Sequence, residues 1–308
     1  MPKPALPLVD RPYLAYMIEW LAGHGVTEAV LACGFLPDQL REALGDGEHA
    51  GVILTYVVEP DRRGTAGAIR FAAEALGDRL EDRFLALNGD VLTDLDLTAL
   101  QHAHEERGAR ATIGLYSVDD SSAYGLVACD PEGAVLAFSE KTGITAPGEV
   151  NAGSYVLERS VLDLIPPRRE FSIEREVFPR LVGDGLCALP LHGYWMDIGT
   201  PERYLQATWD ILEGRVATAV RPTAPGLFVG PGSAVAESAR LGPRAVVSAG
   251  CSVGPGAEVA GSVLLADCEV GEGALVIDSV LGAGATVAAG VEVRGALVGA
   301  HERVGAER

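Results

Sequence analysis

The 308-residue sequence predicts two domains: an α/β domain with a mostly parallel sheet, followed by a parallel β-helix. Three observations predict this. Apolar runs in the first two-thirds are continuous rather than alternating, as in strands covered on both faces. Helical patterns lie between those runs, which makes βαβ units. From Val229 onward an aliphatic residue recurs every six positions, a period that neither a helix nor a simple strand produces.

Taken in order, residues 11–24 read as an amphipathic helix. Asp10 is its expected N-cap, Pro12 lies near its start, Leu14, Met17, Ile18 and Leu21 share one face, and His24-Gly25 ends it. The run TEAVLACGF (27–35) predicts a strand and PDQLREAL (37–44) a short helix. Further strands are expected in GVILTYVVE (51–59), RFLALNGDVL (83–92) and ATIGLYSV (111–118), with helices over 65–76 and 96–107 between them. Residues 125–158 carry three strand-like pieces, GLVACD, AVLAFSE and NAGSYVLE. A helix is expected around 173–182, then LCALPLHGYWMDIG, then a helix over 201–213.

Past residue 213 aromatics nearly vanish and Gly, Ala and Val dominate. We read 1–213 as the α/β domain, 214–226 as a linker and 227–308 as the β-helix. The repeat runs Val229, Val235, Leu241, Val247, Val253, Val259, Leu265, then Val270, Val276, Leu281, Val287, Val293, Val298 and Val304 after occasional five-residue steps. Each six-residue side points one aliphatic inward, and three sides make a coil.

Composition narrows the function. The net charge of −19 disfavours a nucleic-acid polymer as partner, because such binding needs basic patches. No apolar run reaches the ~20 residues of a membrane span. Five scattered cysteines without a C-x-x-C suit free thiols in a reducing cytoplasm, not a disulfide framework or zinc site. Of 24 basic residues only Lys3 and Lys141 are lysine; the other 22 are arginine. A chain that uses Arg so freely points to those two positions as ones needing a compact ammonium.

Four motifs carry candidate chemistry. In LNGD (87–90), Asp90 ends a buried run, at the strand edge where open α/β sheets bind ligands; Asn-Gly-Asp is also a common turn. In GYWMDIGTPERY (193–204), Asp197 sits in an apolar stretch where a carboxylate needs a metal ion or an arginine, or else caps a turn. Two aspartates, each at a strand end, can hold one Mg²⁺, whose shell is completed by water and phosphates. GTAG (64–67) either admits an anion to a helix N-terminus or simply punctuates a helix start. In FSEKTG (138–143), Glu140 and Lys141 are adjacent in a strand and so face opposite ways, toward two ligand groups or toward solvent.

In this order the pieces resemble the sugar-1-phosphate nucleotidylyltransferases. PKPALPLVDRP looks like that family's P-K-P-x-x-P segment, and GTAG, LNGD, Tyr124-Gly125, Glu140-Lys141, NAG (151–153) and DIGTP (197–201) follow in family order. The resemblance covers residues 2–213 and implies a Rossmann-like fold; the repeats match the left-handed β-helix that many members append. SIEREVFP and GYWMDIGTP look most like mannose-1-phosphate guanylyltransferases. The implied substrates are an NTP (GTP or dTTP) and a sugar-1-phosphate. By resemblance Asp90 and Asp197 bind Mg²⁺ and Lys3 and Lys141 hold phosphates. The Gly125 backbone, Glu140 and Asn151 meet the sugar, Glu59 and Gly64 lie near the base, and Thr65 and Tyr124 are further substrate-binding residues. Neither a membrane nor a nucleic-acid polymer is an expected partner; a homo-oligomer is compatible with the open coil end.

The family's pattern also has a buried strand and a Gly-rich loop, roughly G-G-x-G-T-R-L-x-P, ahead of P-K-P, and the sequence starts at P-K-P. Two alternatives follow: a thymidylyl- or other nucleotidylyltransferase acting on glucose-1-phosphate, or a non-catalytic regulatory relative. The expected outcome is little or no turnover of NTP and sugar-1-phosphate by a chain beginning at Met1. Comparing its pyrophosphate release with that of an extended form checks this; equal rates contradict it.

Overall fold

The computed structural model describes residues 3–34, 37–140, 143 and 145–305. The chain forms two compact units: Leu14–Asp197 with the stretch ending at Ala5, and Leu6–Tyr13 with the chain from Ile198 onward.

In the chain's first turns, Pro7–Leu8 (β1) pairs antiparallel with Arg11–Pro12 (β2), and the helix begins only at Tyr13–Gly23 (α1). Asp10 is therefore not the N-cap: it lies in the hairpin turn, and the Tyr13 N–H donates to the Leu6 carbonyl at 2.8 Å. A backbone acceptor across the hairpin has taken the place of the side-chain cap.

The first unit continues with Glu28–Cys33 (β3), Pro37–Leu44 (α2), Glu48–His49 (β4), Val52–Val58 (β5), Gly64–Leu76 (α3), Arg83–Leu87 (β6) and Val91–Thr93 (β7). Leu97–Arg107 (α4) follows, N-capped by Asp96, whose carboxylate accepts the Ala99 N–H. Then come Ala111–Val118 (β8), Gly125–Cys129 (β9), Val135–Glu140 (β10), Gly148–Glu158 (β11), Phe178–Leu181 (α5), Leu186–Pro190 (β12) and Trp195–Asp197 (β13).

One sheet has the order β10-β9-β11-β8-β12, with β6 on β11; another is β3-β5-β4. Among the described residues, β3 and β6 each pair along one edge. Parallel pairing holds for β3–β5 and β8–β12, where helices intervene; β9, β10 and β11 return by short connections and so pair antiparallel. The sheet is thus more mixed than the apolar runs suggest. Nor is β5 covered on both faces: Ile53 is 55% and Val58 50% exposed. The helix expected around 173–182 splits into a π-helical turn, Ile173–Val177, and α5. Pro179, lacking an N–H, removes one of the ordinary helical bonds there.

The second unit holds the β1–β2 hairpin and Pro201–Leu212 (α6), which Thr200 caps and Pro201 opens. The Tyr204 hydroxyl of α6 donates to the Pro7 carbonyl at 2.5 Å. Three parallel sheets follow, of five, five and four strands, running from Leu227–Val229 to Leu297–Val298, from Ala234–Val235 to Arg303–Val304, and from Arg240–Leu241 to Glu292–Arg294. Stacking of identical registers explains the six-residue period: Val229, Val247, Leu264, Leu281 and Val298 form one inward ladder. Leu264, not the expected Leu265, is the inward residue, since it alone pairs with Val247 and Leu281. The two adjacent leucines fit the local pattern equally; strand stacking chooses between them.

One titratable group is enclosed in the first unit. His104 on α4 is fully buried; its Nδ1 lies 2.8 Å from the Thr112 hydroxyl of β8 and its Nε2 3.1 Å from the Glu158 carboxylate of β11. Arg83 of β6 bonds Glu158 and Glu105 around it. Burial lowers the His104 pKa below its ordinary 6.5, with the Glu158 hydrogen bond opposing that shift. A histidine depressed in the native state stays neutral there while the unfolded chain takes up the proton. Its contribution is therefore complete above pH 6.5 and is lost as pH falls through the native pKa. His104→Gln should show a smaller drop in Tm between about pH 6.5 and 5 than the parent chain. Equal acid limbs in thermal unfolding would contradict this.

Candidate active site

The site is organised by a three-residue strand pair. Trp195 opposes Thr93, Met196 opposes Leu92, and Asp197 opposes Val91. Asp90 directly precedes Val91, so the antiparallel register sets the two candidate carboxylates at neighbouring positions, and both are half-buried. The pair is closed at its far end by Asp94, whose carboxylate accepts the Tyr194 N–H at 2.6 Å, and by the Thr93 hydroxyl, which donates to the Tyr194 carbonyl at 2.9 Å.

Two further motifs lock onto this pair. The sheet register slips between Asn151 and Tyr155, making a bulge at NAG. Asn151 builds the bulge itself: its Oδ1 accepts the Gly153 N–H at 2.9 Å and its Nδ2 donates to the Tyr155 hydroxyl at 2.8 Å. Gly153 has φ +73°, and a Cβ there would lie 2.9 Å from the Asn88 side chain. The Gly153 carbonyl accepts the Asn88 N–H at 2.8 Å, so NAG holds the turn that precedes Asp90. The Trp195 indole N–H donates to the Ala152 carbonyl at 2.8 Å. Its ring stacks on Tyr116, with centroids 5.4 Å apart, and meets the edge of Tyr124 at 5.2 Å.

Tyr124 leads into Gly125, which pairs with Glu140, while Leu126 next to it pairs with Val150. The structure therefore gathers Asp90, Asp197, Tyr124, Gly125, Asn151 and the Glu140 backbone into one connected neighbourhood. Lys141 lies outside the described residues, and at Lys3 and Glu140 the description covers the backbone alone.

Glu59, Gly64 and Thr65 form a second group, at the carboxyl end of β5. The Glu59 N–H donates to the Cys33 carbonyl at the end of β3, at 2.9 Å. Partial burial raises the Glu59 pKa, opposed by the Arg63 backbone N–H and guanidinium. GTAG opens α3. The Ala66 and Gly67 N–H groups donate to the Phe171 carbonyl at 2.9 and 3.2 Å, so these first-turn donors of α3 serve protein backbone. Gly64, at φ +66°, permits that approach; a Cβ would sit 2.7 Å from the Phe171 oxygen. The Thr65 hydroxyl donates to Glu174 at 2.8 Å and accepts the Ile173 N–H at 2.9 Å.

Residues 1–214 match the Nucleotidyl transferase family, and residues 223–307 match the GMPPB C-terminal domain. The chain belongs to the nucleotidyl transferase family. Among relatives of this nucleotidyl transferase, a mannose-1-phosphate guanylyltransferase of Mycobacterium tuberculosis is 37% identical over 267 residues, which is 85% of this chain and 74% of that protein. A probable mannose-1-phosphate guanylyltransferase 1 of Oryza sativa subsp. japonica is 36% identical over 258 residues, 83% and 70% of the two chains. The solved structure of HddC from Yersinia pseudotuberculosis complexed with GMP-PN has a TM-score of 0.59 and 26% identity, covering 68% of this chain and 90% of that one.

Sequence reasoning missed Trp195, Tyr116, Asn88 and Phe171 as the groups that hold the site in shape. A tryptophan two residues before Asp197 was the available signal. Gly153→Ala forces a left-handed alanine against Asn88 and should cost about 1–2 kcal/mol of stability. In a form extended by the Gly-rich loop, nucleotidyl transfer should fall further than that stability loss implies, since the Asp90 turn is displaced. Thermal unfolding and turnover measured together check this; parental values in both would refute it.

Proposed function

We propose that this nucleotidyl transferase joins GTP and mannose-1-phosphate to give GDP-mannose and pyrophosphate. A sugar phosphate oxygen attacks the α-phosphorus of GTP, the bond from that phosphorus to the bridging oxygen breaks, and pyrophosphate leaves. The nucleophile is already an anion, so no general base is needed. The barrier is repulsion between two polyanions and the demand for an in-line approach.

The observation that carries this reading is the β7–β13 register, which pairs Asp197 with Val91, the residue after Asp90, and so brings the two aspartate positions close in the fold. Their oxygen donors fit Mg²⁺, which takes one or two carboxylates and few other protein ligands. When bound, Mg²⁺ offsets phosphate charge. Lys141 holds the sugar phosphate and Lys3 the phosphates near the reacting centre. Tyr124, the Gly125 backbone, Glu140 and Asn151 orient the sugar. Glu59 faces the base, beside the Gly64-Thr65 turn. The named activities of the two guanylyltransferase relatives support the choice of base and sugar, and the GMP-PN complex of HddC supports a guanine nucleotide.

In a form extended by the Gly-rich loop, Asp90→Asn and Asp197→Asn should each lower Mg²⁺-dependent pyrophosphate release from GTP and mannose-1-phosphate by at least about a hundredfold. Parental rates in both variants would remove the metal assignment. A panel pairing GTP, dTTP and UTP with mannose- and glucose-1-phosphate tests the substrates, and faster turnover of any other pair overturns the choice.

A further inference from the structure

We propose that Cys251 and Cys268, stacked in successive coils of the β-helix, are a site of peroxide oxidation that closes to a disulfide and ties one coil to the next. The strand register places them. Ser252 pairs with Glu269 and Glu269 with Thr286, so the preceding residues Cys251, Cys268 and Ala285 occupy one ladder in consecutive coils. Neighbouring strands lie about 4.7–4.9 Å apart, within the roughly 4.4–6.8 Å that a disulfide spans between Cα atoms. Both side chains belong to the β-helix core and both are buried. They also share one direction. The Cys251 thiol donates to the Leu265 carbonyl and the Cys268 thiol to the Gly282 carbonyl, each at 3.1 Å. The two sulfurs are within hydrogen-bonding reach of each other.

Their surroundings make the two sulfurs unequal. Cys251 faces the Cys268 thiol and the backbone N–H groups of Cys268 and Asp267, donors that favour a thiolate. The Cys268 hydrogen bond, opposed by burial, holds Cys251 below the ordinary thiol pKa of 9.0, whereas Cys251 and burial push Cys268 up. Burial also raises Cys33, Cys129 and Cys187, so Cys251 alone of the five cysteines is lowered. The thiolate is the nucleophile, which makes Cys251 the attacking residue and Cys268 the resolving one. Cys251 attacks one oxygen of hydrogen peroxide: the S–O bond forms, the O–O bond breaks, and the departing hydroxide takes a proton and leaves as water. The Cys268 sulfur then attacks the sulfenic sulfur of Cys251. The S–S bond closes as the S–O bond breaks, and the released hydroxyl leaves with the Cys268 proton as a second water. Two thiols lose two electrons, and one peroxide becomes two waters. Enclosure of the pair makes this slow, because a small oxidant enters as the coil opens locally. A disulfide of this kind in a reducing compartment is transient and redox-responsive.

The test treats the full chain with hydrogen peroxide under native conditions, alkylates the remaining thiols in denaturant, and maps unreduced peptides by mass spectrometry. A Cys251–Cys268 cross-link should be the major disulfide and should reverse with dithiothreitol. It should raise the unfolding temperature by about 4 °C or more. Cys268→Ala places in the ladder the residue that the next coil already carries, Ala285, and should strand Cys251 as a sulfenic or sulfinic acid, read from its mass. Cys251→Ala should leave Cys268 a free thiol. The proposal is overturned if both cysteines of the parent chain remain alkylatable after peroxide, if the major link joins other cysteines, or if the link forms only in denatured chain. An oxidised chain that unfolds no higher than the reduced one overturns the tie between coils, and oxidation of Cys268 in Cys251→Ala overturns the assigned roles.

Discussion

The pairing of Val91–Thr93 with Trp195–Asp197 is the constraint on which the rest of the first unit's chemistry depends. It is short, and its strands come from distant parts of the chain: 100 residues separate Asp94 from Tyr194, whose N–H it accepts. So few ladder bonds do not hold such a closure alone. The Trp195 indole adds a bond to Ala152 and packs against two tyrosines, and the Ala152 bulge in turn grips Asn88 through Gly153. These contacts fix the strand that carries Asp197 and the turn that precedes Asp90 relative to the sheet. Pre-organisation of this kind is what a reaction between two polyanions needs, because a loose pair of acidic groups would repel substrate as readily as gather metal.

Much of this was legible in the sequence, unevenly. Asp90 and Asp197 stood out because each interrupts apolar surroundings, a local property. That they are neighbours was not legible, since register between distant segments depends on partners that no local pattern names. Asn151 and Gly153 were visible as a motif, but their part in a bulge requires Tyr155 and Asn88 as well. GTAG showed a helix start by composition alone, but not that the Ala66 and Gly67 donors meet the Phe171 carbonyl, because Phe171 is remote in sequence. The misplaced helix start has the same origin: Asp10 satisfies the capping rule, yet Leu6 supplies a better acceptor once the hairpin forms.

The β-helix shows the opposite case, where nearly everything was local. Its inward ladder follows from a six-residue period, and only the choice between Leu264 and Leu265 needed the stacked neighbours. Buried hydroxyls repeat the rule in polar form. Ser262 and Ser279, 17 residues apart, each accept a backbone N–H from the next coil, so these two hydroxyls are satisfied coil by coil.

That difference in sequence separation has a kinetic consequence. Each coil of the β-helix closes on a neighbour 17 or 18 residues away, so its ordering is a series of short loop closures. The β7–β13 pair must instead bring together segments about a hundred residues apart, and it returns only a few hydrogen bonds for that entropy. This separation predicts late formation of the candidate active site within its unit. The coils can mature, and resist proteolysis, while the carboxylates that define the chemistry are still apart.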